Sequence, residues 1–379
     1  MTSSVKRAKS LEAAVDKTTS EPRRRRASFH LLKVCELDRI TDDAVAITFA
    51  VPDHLKGEFT YKPGQHVAVR ATVAGDDVRR NYSICSPVSS GKLRIGVKRL
   101  PDGVFSNFAL ERLRVGDALE VLSPAGLFVV EPNPARARNY GAVAAGSGIT
   151  PILSIIASTL EVESDSQVTL IYLNTSIQSI MFLEELEDLK NRYLDRLQVF
   201  YVLARERQES DILSGRLDSE RLAAILDGFD SAGVDNWYLC GPRPLTDMVR
   251  DTLLARGARD ACIHRELFHA AASPPRKVLP KTGEITEGYD VTVQFDGRAT
   301  TFKLPPNTET ILDGGLTLRS ELPYACKNGI CGTCRCRVTD GEVEMVQNFA
   351  LEPDEVAAGY VLACQSYPTT PKVAIDFDQ

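Results

Sequence analysis

Tyr324-Ala325-Cys326-Lys327-Asn328-Gly329-Ile330-Cys331-Gly332-Thr333-Cys334 places three cysteines in one loop, and Cys364 extends the spacing to C-x4-C-x2-C-x29-C. That spacing matches the plant-type ligand set for a two-iron, two-sulfur cluster, which accepts and releases single electrons. Three thiolates in a tight loop can wrap two iron ions, and a distant fourth closes the site. Gly329 and Gly332 allow the sharp bends that bring backbone N–H groups toward the sulfides. The alternatives are ordinary buried thiols or a zinc site. Zinc knuckles favour paired C-x2-C elements, however, and only Cys331 and Cys334 form one. The expected metal ligands are therefore Cys326, Cys331, Cys334 and Cys364.

The other five of the nine cysteines, Cys35, Cys85, Cys240, Cys262 and Cys336, form no disulfide framework and fit a reducing compartment. Cys336 alternates with Cys334 and Val338 as one face of a strand leaving the loop, and is read as structural. The 379 residues, 43% hydrophobic, suffice for two or three packed domains. No run of eighteen apolar residues occurs, so no membrane span is expected. The N-terminus also lacks the apolar segment of a secretory signal, and a cytoplasmic location is expected. Residues 1–27 hold eight Lys/Arg against three Asp/Glu, including the run Arg23 to Arg26, so the remainder carries −11 of the total −6. This polar tail is expected to be disordered and solvated rather than to bind nucleic acid or anionic lipid.

Three modules are expected beyond the tail. Residues 28–135 read as six short strands, Phe29–Leu37, Ala44–Val51, His66–Ala71, Asn81–Cys85, Leu93–Lys98 and Ala118–Leu122, separated by turns such as Lys62-Pro63-Gly64 and Pro101-Asp102-Gly103. They predict a small antiparallel β-barrel. A helix over about Ser106 to Leu113, started by Ser106, offers a phosphate site at its N-terminus. Residues 136–269 alternate strands (Tyr140–Ala145, Val168–Leu173, Leu197–Ala204, Trp237–Cys240) with helices (Pro151–Leu160, Ile180–Tyr193, Arg243–Ala255). That order predicts an α/β doubly wound parallel sheet. The proline-rich 270–286 reads as a linker. In 287–379, strands Asp290–Phe295 and Thr300–Leu304 and a helix at Thr310–Leu316 precede the cluster loop, an order suited to an α+β β-grasp ferredoxin domain.

Within the barrel, Arg80-Asn81-Tyr82-Ser83-Ile84-Cys85-Ser86, followed by Gly103-Val104-Phe105-Ser106, resembles the flavin-binding pair of the ferredoxin-NADP reductase superfamily. The resemblance implies FAD, with FMN as the alternative. Arg80 would meet the pyrophosphate, Tyr82 would pack beside the isoalloxazine, and the Ser83 hydroxyl would reach its N5 edge. Gly103, Val104, Phe105 and Ser106 would add the helix dipole and backbone donors.

Two glycine turns of the next module, Gly146-Ser147-Gly148-Ile149-Thr150-Pro151 and Cys240-Gly241-Pro242, are similar to the loops that face each other around the nicotinamide and its diphosphate in that superfamily. This places Thr150 near the nicotinamide and Cys240 near the hydride path. Arg265-Glu266-Leu267-Phe268 resembles the superfamily's Glu-x-Phe terminus beside the flavin, implying that Glu266 orients the nicotinamide side and Phe268 covers the ring. No acid follows Val168–Leu173, whereas Arg205 follows the third strand and could meet a 2′-phosphate. NADPH is therefore expected, with NADH possible.

The order of modules, with Leu322-Pro323-Tyr324-Ala325-Cys326-Lys327, Cys331-Gly332-Thr333-Cys334-Arg335-Cys336 and the stretch Leu351 to Gln365, resembles the reductase subunits of phenylacetyl-CoA epoxygenase systems. The resemblance implies an electron converter from NADPH through FAD and [2Fe-2S] to a di-iron oxygenase acting on an aromatic acyl-CoA, with Ser83, Cys240 and Glu266 at the hydride site. Reductases of Rieske-type oxygenases, such as ketosteroid 9α-hydroxylase, share the module order and form the alternative. A flavin and iron–sulfur redox sensor is the reading from another class.

Overall fold

The structure, a computed structural model, describes residues 29–268, 288–306, 308–351 and 353–379. The tail expected over 1–27 and the linker expected over 270–286 lie outside the described residues.

The first module is one six-stranded antiparallel sheet of β1 (Phe29–Thr41), β2 (Ala44–Ala50), β3 (His66–Val73), β4 (Asp76–Ser83), β5 (Leu93–Lys98) and β6 (Ala118–Leu122), in the order β4-β3-β6-β1-β2-β5. Alternate side chains point inward: Leu32 and Val34, Val67 and Val69, Ile95 and Val97 are all buried in one apolar cluster. Burial of that face curls the sheet until its edges touch, with Ile84 bridging Ile95 and Cys85 N donating to Arg94 O at 2.9 Å. Helix α1 (Val104–Glu111) packs on this curled sheet through Phe105 and Ala109.

The helix begins earlier than expected. Gly103 is its N-cap, and the Ser106 hydroxyl accepts from Leu100 N and donates to Gly103 O, both at 3.1 Å. Ser106 thus ties down the preceding loop instead of starting the helix, because in the first turn its short side chain folds back onto the entering backbone.

Strands β7 (Asn139–Ala145), β8 (Gln167–Asn174), β9 (Leu197–Leu203), β10 (Asn236–Gly241) and β11 (Ile263–Leu267) form a parallel sheet in the order β11-β10-β7-β8-β9. Its near-continuous apolar strands are buried on both faces, as parallel strands require. Ala142, Ala144 and Tyr172 join the core under α2 (Ile149–Val162) and α3 (Leu183–Arg192). Val143, Ile171 and Leu239 join the opposite core, under α4 (Ser219–Leu226) and α5 (Arg243–Ala255). This is the expected doubly wound arrangement.

Helix α3 starts three residues later than expected, because Ile180, Met181 and Phe182 enter the core and Phe182 adopts a left-handed φ of 59°. Helix α4 is not among the expected elements, although its Asp218 cap, which accepts from Arg221 N at 2.9 Å, is a legible signal. Glu266 of the terminal Glu-x-Phe stretch also proves to lie on a fifth strand, β11, paired with β10, with Phe268 just beyond its end.

The last module has a five-stranded sheet in the order β13-β12-β18-β14-β16 and a separate ribbon of β15 and β17. The strands are β12 (Tyr289–Phe295), β13 (Arg298–Leu304), β14 (Arg335–Asp340), β15 (Val343–Met345), β16 (Tyr360–Leu362), β17 (Ser366–Pro368) and β18 (Lys372–Asp376). The central pair β12 and β18 runs parallel. Helix α6 (Ile311–Leu316), capped by Thr310, packs its buried Ile311 and Leu312 into this module's core, and the short α7 (Pro353–Ala357) precedes β16. Among the described residues no helix is long and apolar enough to cross a membrane.

Barrel and parallel sheet share one core. Ala44, Ala46, Cys85, Phe128 and Val130 of the first module pack with Ile152, Ile155 and Ile156 of α2. The α2 hydroxyls are drawn into the same seam, Ser154 donating to Ser86 O at 2.7 Å and Ser158 accepting from Val88 N at 3.2 Å. At Gly96 on β5, a Cβ would stand 2.7 Å from the Thr150 methyl and 3.1 Å from the Phe182 ring. Overpacking such a contact costs about 1–3 kcal/mol. Gly96→Val is expected to lower the free energy of unfolding by that order, and with it the midpoint, in urea unfolding, while Gly91→Ala, in open space, is expected to act only through local backbone strain.

Candidate functional site

The cluster loop leaves α6 and wraps back so that its thiols meet two and two, Cys326 with Cys331 and Cys334 with Cys364. In each pair the hydrogen bond from one thiol pushes the other, Cys331 or Cys364, toward the thiolate. Among the described residues no three His, Cys, Asp or Glu side chains gather at one single-ion site. Two pairs suit two irons, each taking two thiolates, so the donors fit a [2Fe-2S] cluster.

Backbone donors already aim at the sulfurs, with Asn328 N donating to Cys326 Sγ at 3.3 Å. Gly329 and Gly332, with φ of 70° and 67°, make the turns that allow this. Gln365, absent from the expected set, donates to Lys327 O at 2.8 Å and lies 3.8 Å from Cys364 Sγ. It joins Cys364, the expected fourth ligand, to the loop of the other three cysteines. Cys336 is fully buried and points its thiol at Val361 O, 3.7 Å away, outside both pairs.

Strand β4 sends alternate side chains to two sides. Arg80 is exposed, with one guanidinium nitrogen donating to Arg79 O at 2.7 Å. Tyr82 lies 5.4 Å from Phe105 of α1, and burial pushes its phenol well above the usual range. Val104 is partly exposed beside Gly103, where the first-turn N–H groups of α1 have no intrahelical acceptor. A Cβ at Gly103 would fall 2.3 Å from Ser106 Oγ, so only glycine keeps this helix entrance narrow.

On the other side, β3 and β4 pair His66 with Ser83 and Ala68 with Asn81. Both amide atoms of Asn81 and the Nε2 of His66 are buried without a partner among the described residues. An unmet buried polar group costs about 1–3 kcal/mol. Ala68, opposite Asn81, packs against Ala325 and Cys331 of the cluster loop, so this face borders that loop, while the open amides at the α1 entrance and the Arg80 charge are the donors that fit a flavin's pyrophosphate.

The two glycine turns of the parallel sheet do face each other. A Cβ at Gly148 would lie 2.3 Å from Cys240 O, a proximity only glycine permits. Gly146 holds its turn with a φ of 52°, and its carbonyl accepts from the Tyr172 hydroxyl at 3.0 Å. Thr150 is buried and donates to Ser147 O at 3.0 Å, so its hydroxyl braces the loop. Pro151 sits in the first turn of α2, and Pro242 is the N-cap of α5 beside Gly241.

Glu266, near the end of β11, gathers the side chains of both modules. Ser83 donates to its Oε2 at 3.1 Å, Cys240 Sγ lies 4.0 Å from the same oxygen, and His66 Nδ1 lies 3.8 Å from Oε1. Burial and the Glu266 carboxylate push the Cys240 thiol up. Burial opposes charge on His66, but Glu266, together with Cys331, outweighs it and raises the imidazole pKa. His66 carried no sequence signal, since a lone histidine in a strand reads as a core residue. Phe268 is half-buried against the parallel-sheet core. Arg205 stands apart, exposed beyond β9, where Arg205, Arg207 and Arg221 line an open depression of about 520 Å³.

Comparison with known proteins agrees with this division. The oxidoreductase FAD-binding domain family matches residues 31–130, the oxidoreductase NAD-binding domain family 142–251, and the 2Fe-2S iron-sulfur cluster binding domain family 293–369. The chain is 44% identical to one of the subunits of the 1,2-phenylacetyl-CoA epoxidase of Escherichia coli (strain K12), over 93% of this chain and 98% of that protein. It is 34% identical to the ferredoxin reductase component of 3-ketosteroid-9-alpha-monooxygenase of Rhodococcus rhodochrous, over 92% and 96%. Phthalate dioxygenase reductase shares the fold, with a TM-score of 0.56 and 24% identity over 92% of this chain and 98% of that one.

Cys364→Ala leaves Cys334 without its partner. The purified variant is expected to lose iron and the visible iron–sulfur absorption while keeping its flavin, as measured by metal analysis and by flavin released on denaturation.

Proposed function

This chain belongs to the reductase components of multicomponent oxygenases that join FAD-binding, NAD-binding and [2Fe-2S] domains, and we propose on that premise that it carries electrons from NADPH to a di-iron oxygenase that epoxidises phenylacetyl-CoA. The observation that carries the choice of oxygenase is the 44% identity, end to end, with the phenylacetyl-CoA epoxidase component of Escherichia coli. Residues 28–135, 136–269 and 287–379 are read as the three modules. The cytoplasm is the proposed location, because the cluster's thiolates need a reducing compartment.

When bound, the flavin takes two electrons as hydride from the nicotinamide and passes them singly to the cluster. The chain's own residues supply positions. Arg80 and the α1 entrance at Gly103 would hold the pyrophosphate by charge and by oriented amides. Tyr82 would cover one part of the ring, and Ser83, oriented by Glu266, would present its hydroxyl to the N5 edge. Gly146 to Thr150 and Cys240 to Pro242 would bracket the nicotinamide and diphosphate at the carboxyl ends of the parallel strands, where ligands of such sheets bind. Glu266 and Cys240 would flank the hydride path, and Phe268 would close it.

The preference for NADPH rests on the arginine-lined depression. It opens beyond β9, and β8 ends in Asn174 rather than an acid. Glu206, which also borders it, is engaged as acceptor from Ile177 N at 2.8 Å. Asp211, also on the wall of the depression, pairs with Arg207 at 3.7 Å, which would leave Arg205 to meet a 2′-phosphate.

A ketosteroid-type oxygenase is the second reading, favoured by the 34% identity to that reductase component. Reconstitution separates the two. NADPH oxidation coupled to epoxidation of phenylacetyl-CoA, with purified epoxidase catalytic subunits, is the expected result. Turnover only with a ketosteroid oxygenase would move the assignment to the second reading.

Two variants test the site. Ser83→Ala is expected to slow flavin bleaching by NADPH about tenfold, the order expected for one lost polar contact to a reacting centre, with iron content unchanged. An unaltered stopped-flow rate would remove Ser83 from the hydride site. Arg205→Ala is expected to raise KM for NADPH by about tenfold or more, as loss of a charge-assisted hydrogen bond does, and to leave KM for NADH unchanged.

A further inference from the structure

Arg79, next to Arg80 on β4, takes no part in the flavin reading. It is only 3% exposed although it is an arginine on the outer face of a barrel strand. Every arm of its guanidinium is engaged. Nη1 donates to Leu322 O at 3.2 Å and Nη2 to Ser320 O at 3.0 Å. Nε and Nη2 lie 3.3 and 3.1 Å from Asp77 Oδ2. The guanidinium carbon sits 4.1 Å from the Tyr324 ring centroid and 5.4 Å from that of Phe29.

Two of those partners, Asp77 and Phe29, belong to the barrel. The others, Ser320, Leu322 and Tyr324, form the short segment that runs directly into Cys326. Beside this contact, Ala68 and Leu122 of the barrel pack against Ala325 and Cys331 of the cluster loop. The apolar patch is small and would allow sliding. A planar fork that meets two carbonyls and one aromatic face does not, because its donors are satisfied in one geometry.

A buried charge adds little net stability once its desolvation is counted, and its best-attested use is to select one arrangement. We propose that Arg79 is a positioning residue that fixes the cluster loop against the flavin barrel and so sets the rate of electron transfer between them. The inference rests on the reductase reading above. In the step concerned, two-electron-reduced FAD would lose one electron and one of the cluster's two ferric ions would become ferrous, with no proton needing to leave.

The test uses the full-length protein loaded with FAD and cluster, as wild type, Arg79→Ala and Arg79→Lys. Mixed anaerobically with NADPH, Arg79→Ala is expected to bleach its flavin at the wild-type rate while cluster reduction slows about tenfold or more, the scale of effect a small misplacement produces. Arg79→Lys, which keeps the charge but not the fork, is expected to fall between. Amide hydrogen exchange over residues 320–326, read with no reductant present, is expected to rise in Arg79→Ala. Should that variant not accumulate as folded protein, Tyr324→Ala removes the aromatic partner from the other side and is expected to split the two rates in the same way.

Cluster reduction at the wild-type rate in these variants would overturn the proposal. So would a joint fall in both rates with loss of flavin, which would make Arg79 a structural part of the barrel. A wild-type cluster that stays oxidised while its flavin is reduced would overturn the reductase reading instead, and the exchange measurement would still report on the clamp.

Discussion

The carboxylate of Glu266 touching the Ser83 hydroxyl, across 183 positions of chain, is the contact on which the rest of the structure depends. Hydride transfer needs its two partners in van der Waals proximity, so the ends of a parallel sheet must be brought against the rim of a separate barrel. The shared core beneath does this. Helix α2 is buried along nearly its whole length, because the barrel covers the side that a surface helix would show to water. Gly96 then removes the methyl group that would hold the surfaces apart.

Closeness of this kind confines charge, and the charges are handled in pairs. Glu266 meets His66 and Ser83, and Arg79 meets Asp77 with two backbone carbonyls. The thiols of the cluster loop meet two and two. In each case a group that would be costly to bury alone is given a partner of fixed geometry. His66 illustrates the balance, since burial alone would favour the neutral ring and Glu266 with Cys331 reverses the preference.

Much of this was legible in the chain. The strand and helix periods placed the barrel strands, the Arg243–Ala255 helix and the β12–β13 hairpin, because apolar alternation is local and survives tertiary packing. What local pattern misread were places where tertiary packing overrode propensity. Ile180 to Phe182 looked helical but serve as a core plug, and Ser106 looked like a cap but secures the loop before it. Short α4 lacked the length to declare a period. Gln365 and His66 carried no motif of their own, and their roles come from what lies opposite them.

The sequence by itself determined the chemistry. Cysteine spacing reads as a ligand set because a two-iron core needs four thiolates, three of them here within one loop, and glycine turns read as places where phosphates could approach the backbone. Only the tertiary structure decided which of these chemical groups meet. Ser83, Glu266 and Cys240 share one point, and Arg79 reaches the segment before Cys326, because long-range packing of separate modules brings together residues whose separation along the chain encodes nothing about their distance in space.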